Sequence, residues 1–175
     1  MVTGTLEQLL KETNWSELDY LIIDLPPGTG DIQLTLAQKI PLTGAIIVST
    51  PQDIALLDAK RGLKMFEKVK VPILGIIENM STHICSNCGH EEHIFGEDGG
   101  VKMAKENNVE LIGVLPLNIV IREKLDKGKA FELHENSNKK IAENFYSIAL
   151  KTAFNISKLN VDHQSKFPKI VIEKN

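Results

Sequence analysis

Four short runs of apolar, mostly β-branched residues limit the folds open to this chain more than any other feature: Tyr20 to Leu25, Ala45 to Thr50, Ile73 to Glu78 and Leu111 to Leu115. Each has the length of a strand, and none alternates apolar with polar residues as a strand facing water on one side does. Such runs suit a parallel sheet covered on both faces. Between and around them, apolar residues recur at helical spacing. Leu6, Leu9 and Leu10 do so near the start, and Ile54, Leu57, Leu63, Phe66 and Val69 in a longer segment that Asp53 is placed to cap. Val101 and Ala104 begin a further helical stretch running to Asn108, and Ile141, Phe145, Ile148, Ala149 and Thr152 mark another near the end. Strands alternating with helices predict an α/β fold with a doubly wound, mostly parallel sheet. Ligands of such sheets gather at the carboxyl ends of the strands, so the informative loops follow Asp24, Thr50, Asn79 and Leu115.

The 175 residues are 42% hydrophobic and 25% charged, which supports one compact domain with a real core. That domain is expected over residues 1–156, with an excursion at 81–100 and a polar tail at 157–175 in which Lys169 to Glu173 has the composition of a short strand. Lys and Arg number 20 against 23 Asp and Glu, and the positive charges are scattered, which argues against nucleic acid or an anionic membrane surface as the main partner. The longest apolar stretches, Gly44 to Val48 and Ile73 to Ile77, fall far short of the roughly 18 residues that span a bilayer. Met1 to Leu10 has no basic start, apolar stretch and cleavage site in succession, so the expected compartment is the cytoplasm.

Three groups of residues point to chemistry. Asp24 ends the first apolar run and leads into Leu25-Pro26-Pro27-Gly28-Thr29-Gly30-Asp31. A carboxylate at the end of a buried strand needs a partner, which a hydrated magnesium ion supplies, and Gly28 and Gly30 let the following loop bring N–H groups near a phosphate. The bland alternative is an aspartate capping a turn punctuated by Gly and Pro. Asn79, after the third run, has an amide able to read a purine edge, or simply to cap the next turn. Arg122 suits a phosphate or a partner carboxylate, but such an arginine is more often a solvated helix face. Cys85-Ser86-Asn87-Cys88-Gly89 is a CxxCG knuckle within an aperiodic segment that also holds His83, His90, His93 and the Gly99-Gly100 pair. Its spacing brings two thiolates toward one metal, yet a zinc site or a 4Fe-4S cluster generally takes four ligands. The second pair comes from nearby residues or from a second copy of the chain. Zinc held by Cys85, Cys88 and two of the three histidines is the main rival within one subunit. A thioredoxin-like redox pair fits less well, because the knuckle does not open a helix after a first strand, and two free buried cysteines are the bland reading.

Taken in order, Asp24 to Asp31, Thr50-Pro51-Gln52-Asp53, Gly75-Ile76-Ile77-Glu78-Asn79-Met80-Ser81, the CxxCG knuckle, Ile94-Phe95-Gly96 and Gly113-Val114-Leu115-Pro116-Leu117 resemble the Mrp/ApbC family of iron-sulfur cluster carriers, within the MinD-like P-loop ATPases. The resemblance runs from about Met1 to near Asn155. It implies that Asp24 serves magnesium in ATP hydrolysis, that Pro26, Gly28, Thr29 and Gly30 belong to a loop sensing the γ-phosphate, and that Asn79 and Pro116 lie beside the adenine. It also implies that Cys85 and Cys88 hold a 4Fe-4S cluster bridging a homodimer, for delivery to apo iron-sulfur client proteins, with ATP and Mg2+ as cofactors of the complete protein. Many relatives have proline after the first cysteine where this chain has Ser86, which leaves both sulfurs in place.

The phosphate-binding lysine loop of this class, a strand and a Gly-rich turn opening a helix, has no match in the chain. The resemblance puts that loop before residue 1, and its strand between those ending at Asp24 and Thr50. Two central edges are thereby left without their partner, so the two strands close on one another, another polypeptide fills the gap, or the sequence is part of a longer chain. The competing function is a zinc-binding or dimerisation module without nucleotide activity. A MinD-like membrane switch lacks support, since Lys169 to Asn175 is short and mixed rather than a basic amphipathic helix. The chain by itself is expected to show no measurable ATP hydrolysis. Turnover that Asp24→Asn abolishes in a rigorously purified sample would overturn this, because a contaminating ATPase would not respond to the substitution.

Overall fold

A computed structural model describes residues 2–25, 30, 33–35, 37, 40–85, 87–129 and 139–159. Helix α1 (Val2–Glu12) opens the chain, and strand β1 (Ala45–Ser49) leads through α2 (Asp53–Lys68) to β2 (Ile73–Glu78). A small hairpin, β3 (His83–Ile84) and β4 (Glu91–Glu92), comes before α3 (Gly99–Glu106), β5 (Leu111–Val114), α4 (Ile119–Asp126) and α5 (Lys139–Lys158). The sheet is parallel in the order β1-β2-β5, and the hairpin is antiparallel. The α/β parallel architecture expected from the alternating pattern is therefore present.

Helices cover the sheet from both sides. On one side Leu63 and Phe66 of α2 and Met103 and Ala104 of α3 pack with Ala45, Ile47 and Ile76; on the other, Ile148 and Ile156 of α5, with Leu159 just beyond, meet Leu74, Ile77 and Ile112. Leu63, Ile76 and Ile112 are 0% exposed. Each such side chain is worth about 1.5–3 kcal/mol of burial. Five of the six β2 residues are buried, as expected of a central strand. β1 departs from the expectation of two covered faces: Ala45, Ile47 and Ser49 are buried, whereas Val48 is exposed.

A bulge in β2 decides which side chains meet which helices. Its register with β1 moves from Ala45↔Ile73 to Ile46↔Gly75, one residue too many on β2. Ile73 faces the α2–α3 side and Leu74 the α5 side, and after the bulge Ile76 and Ile77 repeat that order with inverted parity. Gly75 makes this possible at φ +151, where an added Cβ would lie 2.6 Å from the Glu110 carbonyl and 2.6 Å from Ile112 Cγ1. Three residues on, Glu78 is consequently turned toward α3.

Three sequence expectations need correction. Tyr20 to Leu25 forms no strand, and Tyr20, Leu21 and Ile22 are exposed; only Leu25 of the run packs against the core. A strand exists through its partner's hydrogen bonds, and among the described residues β1 pairs with β2 alone. Asp24 is thus exposed rather than held at a buried strand end. Asp53 does not cap α2: Gln52 occupies the cap position without a side-chain bond, and Asp53 lies in the first turn, where its charge favours the helix dipole. The possible strand from Lys169 to Glu173 lies outside the described residues. Helix α4 was not foreseen, although Asn118 Oδ1 caps it by accepting the Val120 N–H at 2.8 Å.

Gly75→Ala is expected to destabilise the fold by about 2–3 kcal/mol, since the new methyl meets a backbone carbonyl at a positive φ. Thermal unfolding should register a loss of roughly 4–12 °C. Gly62→Ala, in the interior of α2 with nothing within 4 Å of the added carbon, should instead stabilise by about 0.4–1 kcal/mol.

Candidate functional site

The carboxyl ends of β1, β2 and β5 are laced together. The Asn79 N–H donates to the Ser49 carbonyl at 2.7 Å, the Leu115 N–H to Glu78 at 2.8 Å and the Ser81 N–H to Leu115 at 3.0 Å. These bonds bring the loops carrying Asn79 and Pro116 side by side. Asn79 Oδ1 accepts the N–H of Met80 at 2.9 Å, the turn-capping role weighed against purine recognition, and Pro116 is half-buried. Of the proposed phosphate-sensing loop, Pro26, Gly28 and Thr29 lie outside the described residues, while Gly30 is exposed and its carbonyl accepts the Leu34 N–H at 3.2 Å. Arg122 is exposed and pairs with Asp126 at 3.2 Å, as a solvated helix face does.

Beyond Asn79 the chain leaves the sheet as the excursion that carries both cysteines. Its outgoing leg is stitched to the loop after β5: the Leu117 N–H donates to Thr82 at 2.7 Å, and His83 bridges to Leu117. His83 and Ile84 then pair with Glu92 and Glu91. At the tip, the Cys85 N–H donates to His90 at 2.9 Å and the Gly89 N–H to Cys85 at 2.9 Å, closing a knuckle in which Gly89 takes φ +73. Cys88 is exposed and Cys85 partly so, both as free thiols.

The knuckle prepares one sulfur to be a thiolate. The backbone N–H of Cys88 bonds to the Cys85 sulfur, as do that of Asn87 and the Cys88 side chain, and together they hold the thiol below its ordinary value against some desolvation and the Glu92 carboxylate. Hydrogen bonds to the charged form favour it, and a thiolate is what a metal binds. Among the described residues no group of three or more His, Cys, Asp or Glu is arranged to hold a metal. His90 instead faces Glu92 at 3.7 Å and His93 faces Glu97 at 3.7 Å, both at exposed positions. One chain therefore presents two sulfurs, as the spacing implied, without the histidines assembled around them.

In the sequence Glu78 closes an apolar run and lies within the Gly75 to Ser81 motif, where no role attaches to it. It is 5% exposed, and its Oε2 accepts the Gly100 N–H at 2.6 Å. The sequence signal was a carboxylate closing a buried strand, with a glycine pair opening a helix some twenty residues later.

The profile of the ParA family, described as NUBPL iron-transfer P-loop NTPase, matches residues 1–153. An iron-sulfur cluster carrier protein of Pseudomonas fragi is 62% identical over 74% of this chain and 45% of its own length. The protein of that name in Escherichia coli is 64% identical over 73% of this chain and 35% of its own. A mouse iron-sulfur cluster transfer protein, NUBPL, is 52% identical over 74% of this chain and 40% of its own. The chain thus spans less than half the length of these curated relatives. Among solved structures, a nucleotide-binding protein of Archaeoglobus fulgidus in complex with ADP and with Co has a TM-score of 0.67 and 39% identity, covering 75% of this chain and 54% of that one. The cell-division ATPase MinD of Pyrococcus furiosus shares the fold at a TM-score of 0.60 and 19% identity, over 87% of this chain and 57% of that one.

The lowered Cys85 thiol gives a pH test. Its folded-state value lies below the unfolded one, so the stabilisation from its N–H···S bonds is complete above the ordinary thiol value and is lost as pH falls through the folded value. Alkylation of Cys85 by iodoacetamide, followed by mass spectrometry, should have a lower pH midpoint in the native chain than in urea. Equal midpoints would contradict the knuckle geometry.

Proposed function

Because the chain belongs to the ParA family of NUBPL iron-transfer P-loop NTPases, we propose that it carries a 4Fe-4S cluster between two copies of itself and delivers it to apo iron-sulfur proteins in the cytoplasm. One observation carries the reading: two free thiols three residues apart at the tip of a hairpin, one of them favoured as a thiolate by backbone N–H groups. An exposed tip suits a cargo that must leave. Cubane clusters with a protein ligand on each iron take four thiolates, and a homodimer supplies them by symmetry. Transfer needs no net oxidation, since each client thiolate replaces a carrier thiolate on iron. Free thiols also suit a reducing compartment.

In the complete protein ATP and Mg2+ govern that transfer. Asp24 would serve the magnesium, Pro26, Gly28, Thr29 and Gly30 would follow the γ-phosphate, and Asn79 and Pro116 would flank the base. The adjacency of the Asn79 and Pro116 loops supports this assignment, and a purine reaching Asn79 Oδ1 would have to open its bond to Met80. No helix is long and apolar enough to cross a membrane among the described residues.

Anaerobic reconstitution with iron and sulfide, followed by size-exclusion chromatography with both elements counted in each peak, tests the carrier reading. About four irons per dimer are expected, with acid-labile sulfide, and both should be lost in Cys85→Ser and in Cys88→Ser. A monomer retaining a full cluster would sink the bridging arrangement. A monomer with one zinc, no sulfide and dependence on His90 or His93 would replace it with the zinc module.

A further inference from the structure

The two legs of the cysteine excursion are held by different means. The outgoing leg is zipped to the loop after β5 through Ser81, Thr82 and His83. Among the described residues the returning leg has no such ladder: from His93 it passes through a turn closed by the Gly96 N–H on the His93 carbonyl at 3.1 Å, with Gly96 at φ +103 and Asp98 at φ +59. It docks where α3 begins. A Cβ on Gly99 would lie 2.7 Å from the Pro51 carbonyl and 2.7 Å from Leu56 Cδ1, and one on Gly100 would lie 2.9 Å from Glu78 Oε2. The glycine pair thus lets the backbone come down onto the loop after β1 and the end of β2 at once.

The first turn of a helix has N–H groups without partners, ordinarily met by the side chain of its cap residue. Asp98, the cap of α3, makes no such bond in its left-handed conformation. Glu78 meets the need from 22 positions earlier in the chain, with a buried 2.6 Å bond to the Gly100 N–H and a charge suited to a helix N-terminus. Its bond ties the end of the returning leg to the sheet.

We propose that Glu78 is a positioning residue for Cys85 and Cys88: by capping α3 at Gly100 it holds the returning leg against the Thr50–Gln52 loop and so sets the knuckle relative to the strand ends. Its consequence for metal binding rests on the carrier reading, but the positioning itself does not. The Gly99 backbone against Pro51 also gives the loop after β1 a direct mechanical contact with the excursion that bears the cysteines.

Hydrogen–deuterium exchange by mass spectrometry on the metal-free chain, paired with cobalt(II) titration under anaerobic conditions, tests this. In Glu78→Ala, amides of residues 93–100 should exchange roughly tenfold faster or more, while peptides covering β1 and β5 stay as they were. Glu78→Gln, whose amide oxygen still accepts the Gly100 N–H, should remain near the parent chain. Gly100→Ala, which drives a methyl into the Glu78 carboxylate, should reproduce the local loosening and guards against a Glu78→Ala chain that does not fold. Cobalt affinity, read from thiolate-to-metal absorption, should fall in the same order. Unchanged exchange at 93–100 in both Glu78→Ala and Gly100→Ala would overturn the proposal, as would equal acceleration throughout the sheet or Glu78→Gln behaving like the alanine variant. If the parent chain binds no cobalt through its cysteines, the carrier reading fails and the exchange arm still decides the positioning role.

Discussion

Strand β2 is the constraint on which the rest of the structure depends. It has a hydrogen-bonded strand on each edge and helices over each face, so every side chain from Leu74 to Glu78 is enclosed. Enclosure of that kind removes water as a hydrogen-bond partner and leaves the strand's polar groups to be met by protein. The bulge at Gly75 then sets parity for everything downstream: Ile76 joins the α2–α3 side, Ile77 joins the α5 side, and Glu78 comes to the start of α3. A carboxylate in that place finds the helix N-terminus that needs an acceptor.

The carrier site proposed for the excursion would make two demands that pull apart, a fixed base and an open tip. The excursion meets both with little material. Its base is fastened on one side by backbone bonds to the Leu115–Leu117 loop and on the other by the glycine pair against Pro51 and Glu78. Its tip is a six-residue knuckle of Cys85 to His90, closed by two backbone bonds and exposed from Asn87 onward. The electrostatics there are local: N–H groups of Cys88 and Asn87 within the knuckle favour the Cys85 thiolate.

The β1 side of the sheet is less complete. Val48 on the strand and Ile54 and Leu57 on α2 are exposed, and among the described residues β1 has one paired edge. A strand with one paired edge among the described residues, on a sheet with exposed apolar side chains, has something to gain from further contact.

Much of the framework was legible in the residues, because it follows from local pattern. Ile73 to Glu78 was delimited residue for residue, and β1 and β5 each proved one residue shorter than their apolar runs. The helices of α2, α3 and α5 followed from apolar spacing, and the cysteine knuckle from two sulfurs three apart. Tyr20 to Leu25 departs from its composition because strand formation is a property of pairs: what makes Ile73 to Glu78 a strand makes none where no described neighbour supplies the ladder. Asn79 divided between two readings that only geometry separates, and its oxygen is engaged in its own turn. By itself the sequence determined the α/β pattern, the family to which its motifs belong and the presence of two cysteines three positions apart, since composition and short spacing suffice for these. Tertiary structure alone decided that among the described residues no three-ligand group forms, that Asp24 is exposed, and that Glu78 caps a helix 22 residues away. Those outcomes depend on a one-residue bulge and on which surfaces pack together, and neither is written in any local stretch of the chain.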